Sequence, residues 1–322
     1  NNLGTSLGEQ GKLEEAVVHF RKALALQPAL AEVSYNLGSA LKEQGKLEEA
    51  VVHYRQALAL RPAYAMAHIN LGNVLTEQFK LDEAVAQYRQ ALAVQPDCAD
   101  AYSNLGIVLR GQGKHEEATA CYRQALAIRP DYVVAHSNLL FDMSYVSEDA
   151  ERTGHEYRKW NDRHACYLAL QGTAHANNRN PSRRLRVGYV SADFLKHSIS
   201  YFMEPLLAAH DHGKVEVFCY SNSRRSDATT ARLQKCADVW RNIAGMTDGA
   251  VADRIVADAI DILVDLSGHT AGNRLLVFAR KPAPVQVTYL GYGATTGLST
   301  MDCRLTDPYL SPTNSTEWHS EK

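Results

Sequence analysis

Three polar clusters follow runs that look like strands. LRVGYVS (185–191) gives way to ADFLKHSISYF, which gathers Asp193, His197, Ser198 and Ser200 ahead of a helical stretch. IDILVDLSG (260–268) runs into His269, Thr270 and a second glycine, Gly272. VQVTYLGY (285–292) opens into GYGATTG (291–297), which carries three glycines and the pair Thr295–Thr296. An imidazole titrates near pH 6.5, so at neutral pH it can take or share a hydroxyl proton. Glycine-rich turns ahead of helices present backbone N–H groups to anions or sugar hydroxyls. Neither G-x-G-x-x-G nor G-x-x-x-x-G-K-[ST] is present, and a lone histidine after a strand also serves to cap or pack. These residues alone define polar loops of the sort an enzyme uses, without naming a reaction.

The elements that must position them are legible. The runs 185–191, 215–222, 260–268 and 285–292 are short, rich in valine, isoleucine and aromatics, and bounded by glycine or polar residues. Helices are expected between them at 198–209, 226–237, 247–258 and 273–280. Strands apolar on both faces point to a parallel sheet covered by helices, a doubly wound α/β domain. Such sheets keep their sites in loops at the carboxyl ends of strands, where both histidines fall.

The first half of the chain is periodic instead. NLG recurs at 2–4, 36–38, 70–72 and 104–106, Asn138–Leu139 open a fifth copy, and Pro28, Pro62, Pro96 and Pro130 keep the same step of 34. That is the period of tetratricopeptide repeats, two amphipathic helices per unit. In the copy 35–62, Leu37, Gly38 and Leu41 share a face of the first helix and Ala50, Tyr54 and Ala57 a face of the second. The small residues Gly38, Ala50 and Ala57 allow close approach, Gly45 ends the first helix and Pro62 stops the second. One unit cannot bury its apolar face, so the copies stack into a superhelix whose concave surface suits extended peptides. Asn36, Asn70 and Asn104 lie about 100° round their helices from the leucines that follow, a polar row that either binds peptide or bonds neighbouring helices.

We place the repeats at 1–143, a helical bridge and polar linker at 144–182, and the α/β lobe at 183–322. The bridge histidines His155, His164 and His175 have no metal-type partners, and solvated or packing roles are expected for them. The net charge of −2, with only the short basic run Arg183, Arg184 and Arg186, gives no footprint for nucleic acid or anionic membrane. Six cysteines (Cys98, Cys121, Cys166, Cys219, Cys236, Cys303) show no C-x-x-C pair, so reduced thiols and no metal site are expected. No apolar run approaches the ~18 residues of a membrane span, and no leader opens the chain, which reads as cytoplasmic. The opening NNLGTSLGEQ, without methionine and inside a repeat, suggests a piece of something longer.

The order of repeats, bridge, RLRVGYVSADFLKHSISYF, KVEVFCYSN, IDILVDLSGHTAGNRL and RKPAPVQVTYLGYGATTGLSTMDCRLTD resembles the protein O-linked N-acetylglucosamine transferases and their Spindly-type relatives. The resemblance implies a tetratricopeptide superhelix followed by a Rossmann-like lobe, the amino-side half of a GT-B-type glycosyltransferase. It implies inverting transfer of N-acetylglucosamine from UDP-N-acetylglucosamine to serine or threonine of proteins that the repeats recruit. No cofactor or metal is implied, since the nucleotide sugar is a co-substrate. The family's histidine after the first strand falls on His197, with Asp193 beside it as the second catalytic candidate, in orientation or as base. By resemblance His269, Thr270, Gly291, Tyr292, Thr295 and Thr296 are candidate substrate-binding residues, and Asn36, Asn70 and Asn104 acceptor-binding ones. SGHTAGN is closest to bacterial and Spindly-type members. Gly293 stands where the family's GYPxTTG has proline, so a more mobile loop is expected. The second, donor-binding lobe is expected to be absent from this chain, which would leave it inactive alone. Spindly-like transfer from GDP-fucose and a non-catalytic peptide-binding scaffold are the competing readings.

Overall fold

The computed structural model describes residues 1–146, 149–169, 175–180, 182–306 and 320–321. The chain forms two compact units, Asn1–Ala135 and His136–Lys322.

The first unit is built from helix pairs: α1 (Asn2–Glu9) with α2 (Leu13–Leu26), α3 (Ala31–Glu43) with α4 (Leu47–Leu60), α5 (Ala65–Glu77) with α6 (Leu81–Val94), and α7 (Ala99–Gly111) with α8 (His115–Ile128). The NLG glycine sets the approach within each pair. A β-carbon at Gly38 would lie 3.0 Å from the Tyr54 ring, at Gly72 2.8 Å from Tyr88, and at Gly106 2.6 Å from Tyr122. The aromatic ring of each second helix thus rests on the bare backbone of the first. Leu37, Leu41, Ala50, Tyr54 and Ala57 are all buried, as the helical spacing predicts. The turn within a pair needs a left-handed residue, supplied by Gly11, Gly45 and Gly113 at φ 74°, 76° and 75°. In the third pair Phe79 takes that place, at φ 59° with its side chain exposed. Each second helix opens with acidic residues, as Glu48 and Glu49 do in α4, which complement the partial positive charge of a helix start. Arg21–Glu49, Arg55–Glu83 and Arg89–Glu117 repeat one exposed ion pair between successive copies.

In the second unit, α9 (Val133–Val146, from His136 on), α10 (Ala150–Trp160), a π-helical turn at Asn161–Ala165 and α11 (Cys166–Ala169) precede the sheet. Then follow β1 (Leu185–Ser191), α12 (Ser198–Ala208), β2 (Val215–Ser221), α13 (Ala228–Cys236), β3 (Val239–Asn242), α14 (Asp248–Ala257), β4 (Ile262–Asp265), α15 (Leu275–Ala279), β5 (Val285–Tyr289) and β6 (Cys303–Leu305). The six strands are parallel, in the order β3-β2-β1-β4-β5-β6. Four of them match the apolar runs. The strands β3 and β6 escape sequence reading because VWRN and CRL are short and half-exposed, with no apolar run. Val187, Tyr189, Val217, Cys219 and Val264 of the central strands bury one face against Phe194, Ile199, Met203, Leu207 and Leu233. At the amino edge, Asp261 accepts from both Arg183 guanidinium nitrogens (2.6 and 2.5 Å), from the Arg186 amide (2.8 Å) and from Asn177 (2.7 Å), tying the polar linker to the sheet. Among the described residues no helix is long and apolar enough to cross a membrane.

Candidate active site

The chain leaves β1 toward β2 and leaves β4 toward β5, so the sheet order reverses between β1 and β4 and the loops after them flank a crevice at its carboxyl edge. These loops touch. Gly272 is left-handed, at φ 72°, and a β-carbon on it would meet that of Ala192 at 2.8 Å. Asn222, after β2, donates to the Gly272 carbonyl (2.8 Å) and accepts from Arg274 (2.9 Å), whose other end pairs with Asp248 at 2.7 Å.

His197 is exposed and caps the start of α12, its Nδ1 accepting from the Ile199 amide at 3.4 Å. A neutral ring held this way carries its proton on Nε2, so the outward nitrogen is a donor. Asp193 is half-buried on the same loop. Burial pushes its carboxyl above the usual range, a rise that a protonated His197 would partly offset. The Ser200 hydroxyl turns inward to the carbonyls of Leu195 (2.5 Å) and Asp193 (3.2 Å), and the Lys196 amide donates to Asp227 at 2.7 Å. Asp227 in turn caps α13 through the Thr230 amide at 2.9 Å. The loop carrying Asp193 and His197 is therefore anchored from α12 and from α13.

Beside it the loops after β4 and β5 interlock without room for a β-carbon. One on Gly268 would lie 2.3 Å from Cβ of Tyr292, and one on Gly291 1.7 Å from the Leu266 carbonyl oxygen. Asp265, enclosed at the end of β4, accepts from the amides of Ser267 (3.1 Å) and Gly268 (2.8 Å) and from the Thr288 hydroxyl (2.9 Å). Its enclosure pushes the carboxyl upward. His269 is 1% exposed and lies among the rings of Trp160, Tyr157 and Tyr292 at centroid distances of 4.9, 5.5 and 5.6 Å. Its Nδ1 meets Ser137 Oγ at 3.3 Å and its Nε2 the Thr296 carbonyl at 2.8 Å. Burial holds its pKa down to about 3, so the ring is neutral.

Of the candidate substrate-binding residues, His269, Tyr292, Thr295 and Thr296 are all buried and bonded to protein groups. The Tyr292 hydroxyl meets that of Tyr157 and donates to the Leu140 carbonyl at 3.2 Å. The Thr295 hydroxyl and the Thr296 amide donate to the Glu321 carboxylate at 2.6 Å each. Thr270 is half-buried with its hydroxyl on the Ser267 carbonyl at 2.8 Å, and Gly291 owes its identity to the approach of Leu266. Gly293 is exposed, and its carbonyl accepts from Arg304 at 3.0 Å. Sequence reasoning missed Asp265, Asn222, Arg274, Ser137 and Trp160. Asp265 was hidden inside an apolar run, and Ser137 lies 132 residues from His269, beyond any local pattern.

In the repeats each row asparagine donates to the preceding copy: Asn36 to Asn1 (3.1 Å), Asn70 to the Tyr35 hydroxyl (2.9 Å) and Asn104 to Asn73 (3.0 Å). These are the bonds between neighbouring helices foreseen as one of their two uses. Asn73 and Asn104 also line a depression of about 250 Å³ with Lys42, Thr76, Glu77, Tyr88 and Ile107.

A helical repeat array followed by a parallel α/β unit, with a polar loop at its switch point, places the chain in the class of repeat proteins joined to an α/β lobe. Residues 162–322, half of the chain, match glycosyl transferase family 41, and residues 4–45, 38–78 and 64–131 match tetratricopeptide repeats. The chain belongs to glycosyl transferase family 41. It is 42% identical over 188 residues to the tomato (Solanum lycopersicum) probable UDP-N-acetylglucosamine–peptide N-acetylglucosaminyltransferase SPINDLY, covering 57% of this chain and 20% of that one. The Caenorhabditis elegans UDP-N-acetylglucosamine–peptide N-acetylglucosaminyltransferase is 34% identical over 189 residues, 57% of this chain and 16% of its own. A solved mutant of the Thermobaculum terrenum O-GlcNAc transferase superposes with a TM-score of 0.83 at 36% identity, over 91% of this chain and 56% of that one. The chain thus spans about a fifth of the tomato relative's length.

Proposed function

We propose that this chain carries the acceptor-side part of an inverting protein O-GlcNAc transferase, which moves N-acetylglucosamine from UDP-N-acetylglucosamine to serine or threonine hydroxyls. The observation that carries the reading is the anchored, solvent-facing loop of Asp193 and His197 at the switch point of a family 41 fold. In the reaction the hydroxyl oxygen bonds to the anomeric carbon as the bond to the nucleotide diphosphate breaks, and the hydroxyl proton must leave. The Nε2–H of His197 favours donation to a sugar or phosphate oxygen, and the raised affinity of Asp193 for protons suits it to receive the hydroxyl's. His197 acts as base only after releasing Ile199 and exchanging tautomers. The relatives described above are named for N-acetylglucosamine, which favours that donor over GDP-fucose.

The repeats, in this reading, recruit protein segments along the row of Asn36, Asn70 and Asn104. The row's amide bonds between copies would then hold those asparagines in register for peptide. The free thiols of all six cysteines fit a reducing cytoplasm. The test is sugar transfer to protein acceptors by the protein expressed from its complete reading frame. His197→Ala should lower kcat/KM at least about a hundredfold. A loss below about tenfold would remove His197 from the chemistry. Transfer from GDP-fucose in place of UDP-N-acetylglucosamine would overturn the donor, and transfer from neither would leave a non-catalytic scaffold.

A further inference from the structure

Both ring nitrogens of His269 meet protein groups, Ser137 on one side and Thr296 on the other. We infer that His269 is a positioning residue: a one-way chain of hydrogen bonds runs from Trp160 through Ser137 and His269 to the Thr296 carbonyl and pins the Gly291–Gly297 loop at the carboxyl edge of the sheet. This role deepens the transferase reading and rests on it.

The direction of the chain follows from its two ends. The indole Nε1–H of Trp160 can only donate, and it meets Ser137 Oγ at 3.2 Å, so Ser137 accepts there and has its own proton to give. That proton goes to Nδ1 of His269 at 3.3 Å, which leaves the ring's hydrogen on Nε2. The Thr296 carbonyl, 2.8 Å from Nε2, can only accept. One tautomer of the neutral ring satisfies every partner, and a charged ring would forfeit the proton offered by Ser137. All four residues are buried, so no water competes for these bonds.

Glu321 holds the Thr295 hydroxyl and the Thr296 amide, and His269 adds the bond to the Thr296 carbonyl. Gly291, Gly293 and Gly297 give the loop's backbone wide freedom, and Gly297 is left-handed at φ 76°. Its near end is interlocked with the β4 loop through Gly268 and Gly291, and the β4 loop touches the β1 loop at Ala192. A shift of Thr296 would reach the loop of Asp193 and His197 through these close contacts at Gly291, Gly268 and Gly272. An aliphatic side chain of equal volume would fill the aromatic box, take the donor away from the Thr296 carbonyl and take the acceptor away from the Ser137 proton, while Trp160 still donates to Ser137.

The complete protein tests this with three variants, read by transfer kinetics and by amide hydrogen exchange of residues 290–298. Gln places an amide N–H near Nε2 and retains the bond to Thr296, whereas Leu retains only the bulk. His269→Leu should speed loop exchange and lower kcat/KM about tenfold or more, and His269→Gln should stay within about threefold of wild type on both. Ser137→Ala should fall between them and add nothing on top of His269→Leu. If His269→Gln is as damaged as His269→Leu, the donor bond is not what matters and the proposal fails. Should His269→Leu not fold, unchanged loop exchange in Ser137→Ala overturns the chain of bonds equally. If the wild-type protein transfers no sugar, the transferase reading falls, while the exchange data still judge the pin.

Discussion

Acidification from pH 7.5 to pH 5 is expected to weaken the second unit by about 2 kcal/mol through His269 alone. Inside the protein the ring resists protonation down to about pH 3, chiefly because burial removes the water that would solvate its charge. The Thr296 carbonyl pulls the value up, and the nearby His136 and His164 pull it down. In the unfolded chain the same ring titrates near 6.5. Between these values the unfolded state holds a proton that the native state refuses, so stability rises with pH by about 1.4 kcal/mol per unit. The penalty is absent above 6.5, grows as pH falls and levels off below about 3. Stopping at pH 5 avoids Glu156, which its bond to His136 holds down to about 2 and whose contribution is lost only as pH falls below the ordinary carboxylate value. Urea unfolding followed by tryptophan fluorescence reads the effect, since the Trp160 ring stands edge-on to the imidazole at 4.9 Å. His269→Gln cannot titrate, so its loss of stability between pH 7.5 and 5 should be about 2 kcal/mol smaller than that of wild type. The other histidines are common to both proteins and cancel. Equal losses in the two proteins would refute the buried neutral imidazole and, with it, the tautomer argument.

Phe79→Gly should stabilise the repeat unit by about 1 kcal/mol in chemical denaturation, because it relieves a left-handed non-glycine residue whose ring is 87% exposed and contributes little packing. Gly291→Ala should cost several kcal/mol, on the order of the second unit's whole stability, since the added carbon meets backbone rather than a side chain that can move. Loss of soluble protein or of its cooperative melt is the readout. Arg55→Ala should change the melting midpoint little, by ~0.5 kcal/mol or less, because its partner Glu83 is half exposed and the pair is screened. Replacing Asn36, Asn70 and Asn104 together by Ala should weaken peptide binding in a fluorescence titration while the helical circular dichroism signal persists, and unchanged binding would leave these amides structural.

How far the sequence reaches depends on the distance over which a residue finds its partner. The step of 34 announces the helix pairs because each NLG glycine meets its aromatic ring only 16 residues on, Gly38 against Tyr54, inside one copy. The strands β1, β2, β4 and β5 declare themselves by local composition, and parallel pairing follows from burial on both faces. The short β3 and β6 form because neighbours offer them a paired edge, an influence that four or three residues of half-exposed sequence do not display. The placement of Asp193 and His197 at the carboxyl edge was legible in the same way, as the turn that follows an apolar run.

The fate of His269 was not legible. From its sequence neighbours it is a polar residue on a glycine-rich turn, for which capping, packing and substrate contact all stay open. Its surroundings come instead from Trp160, Ser137 and Tyr157 on helices far back in the chain, and from Thr296 on the loop after β5. Helix and strand periods are written in the sequence because they arise from each residue's own backbone and nearest neighbours. Burial, tautomer and proton affinity depend on which distant groups are brought within about 3 Å, and only the tertiary structure decides that.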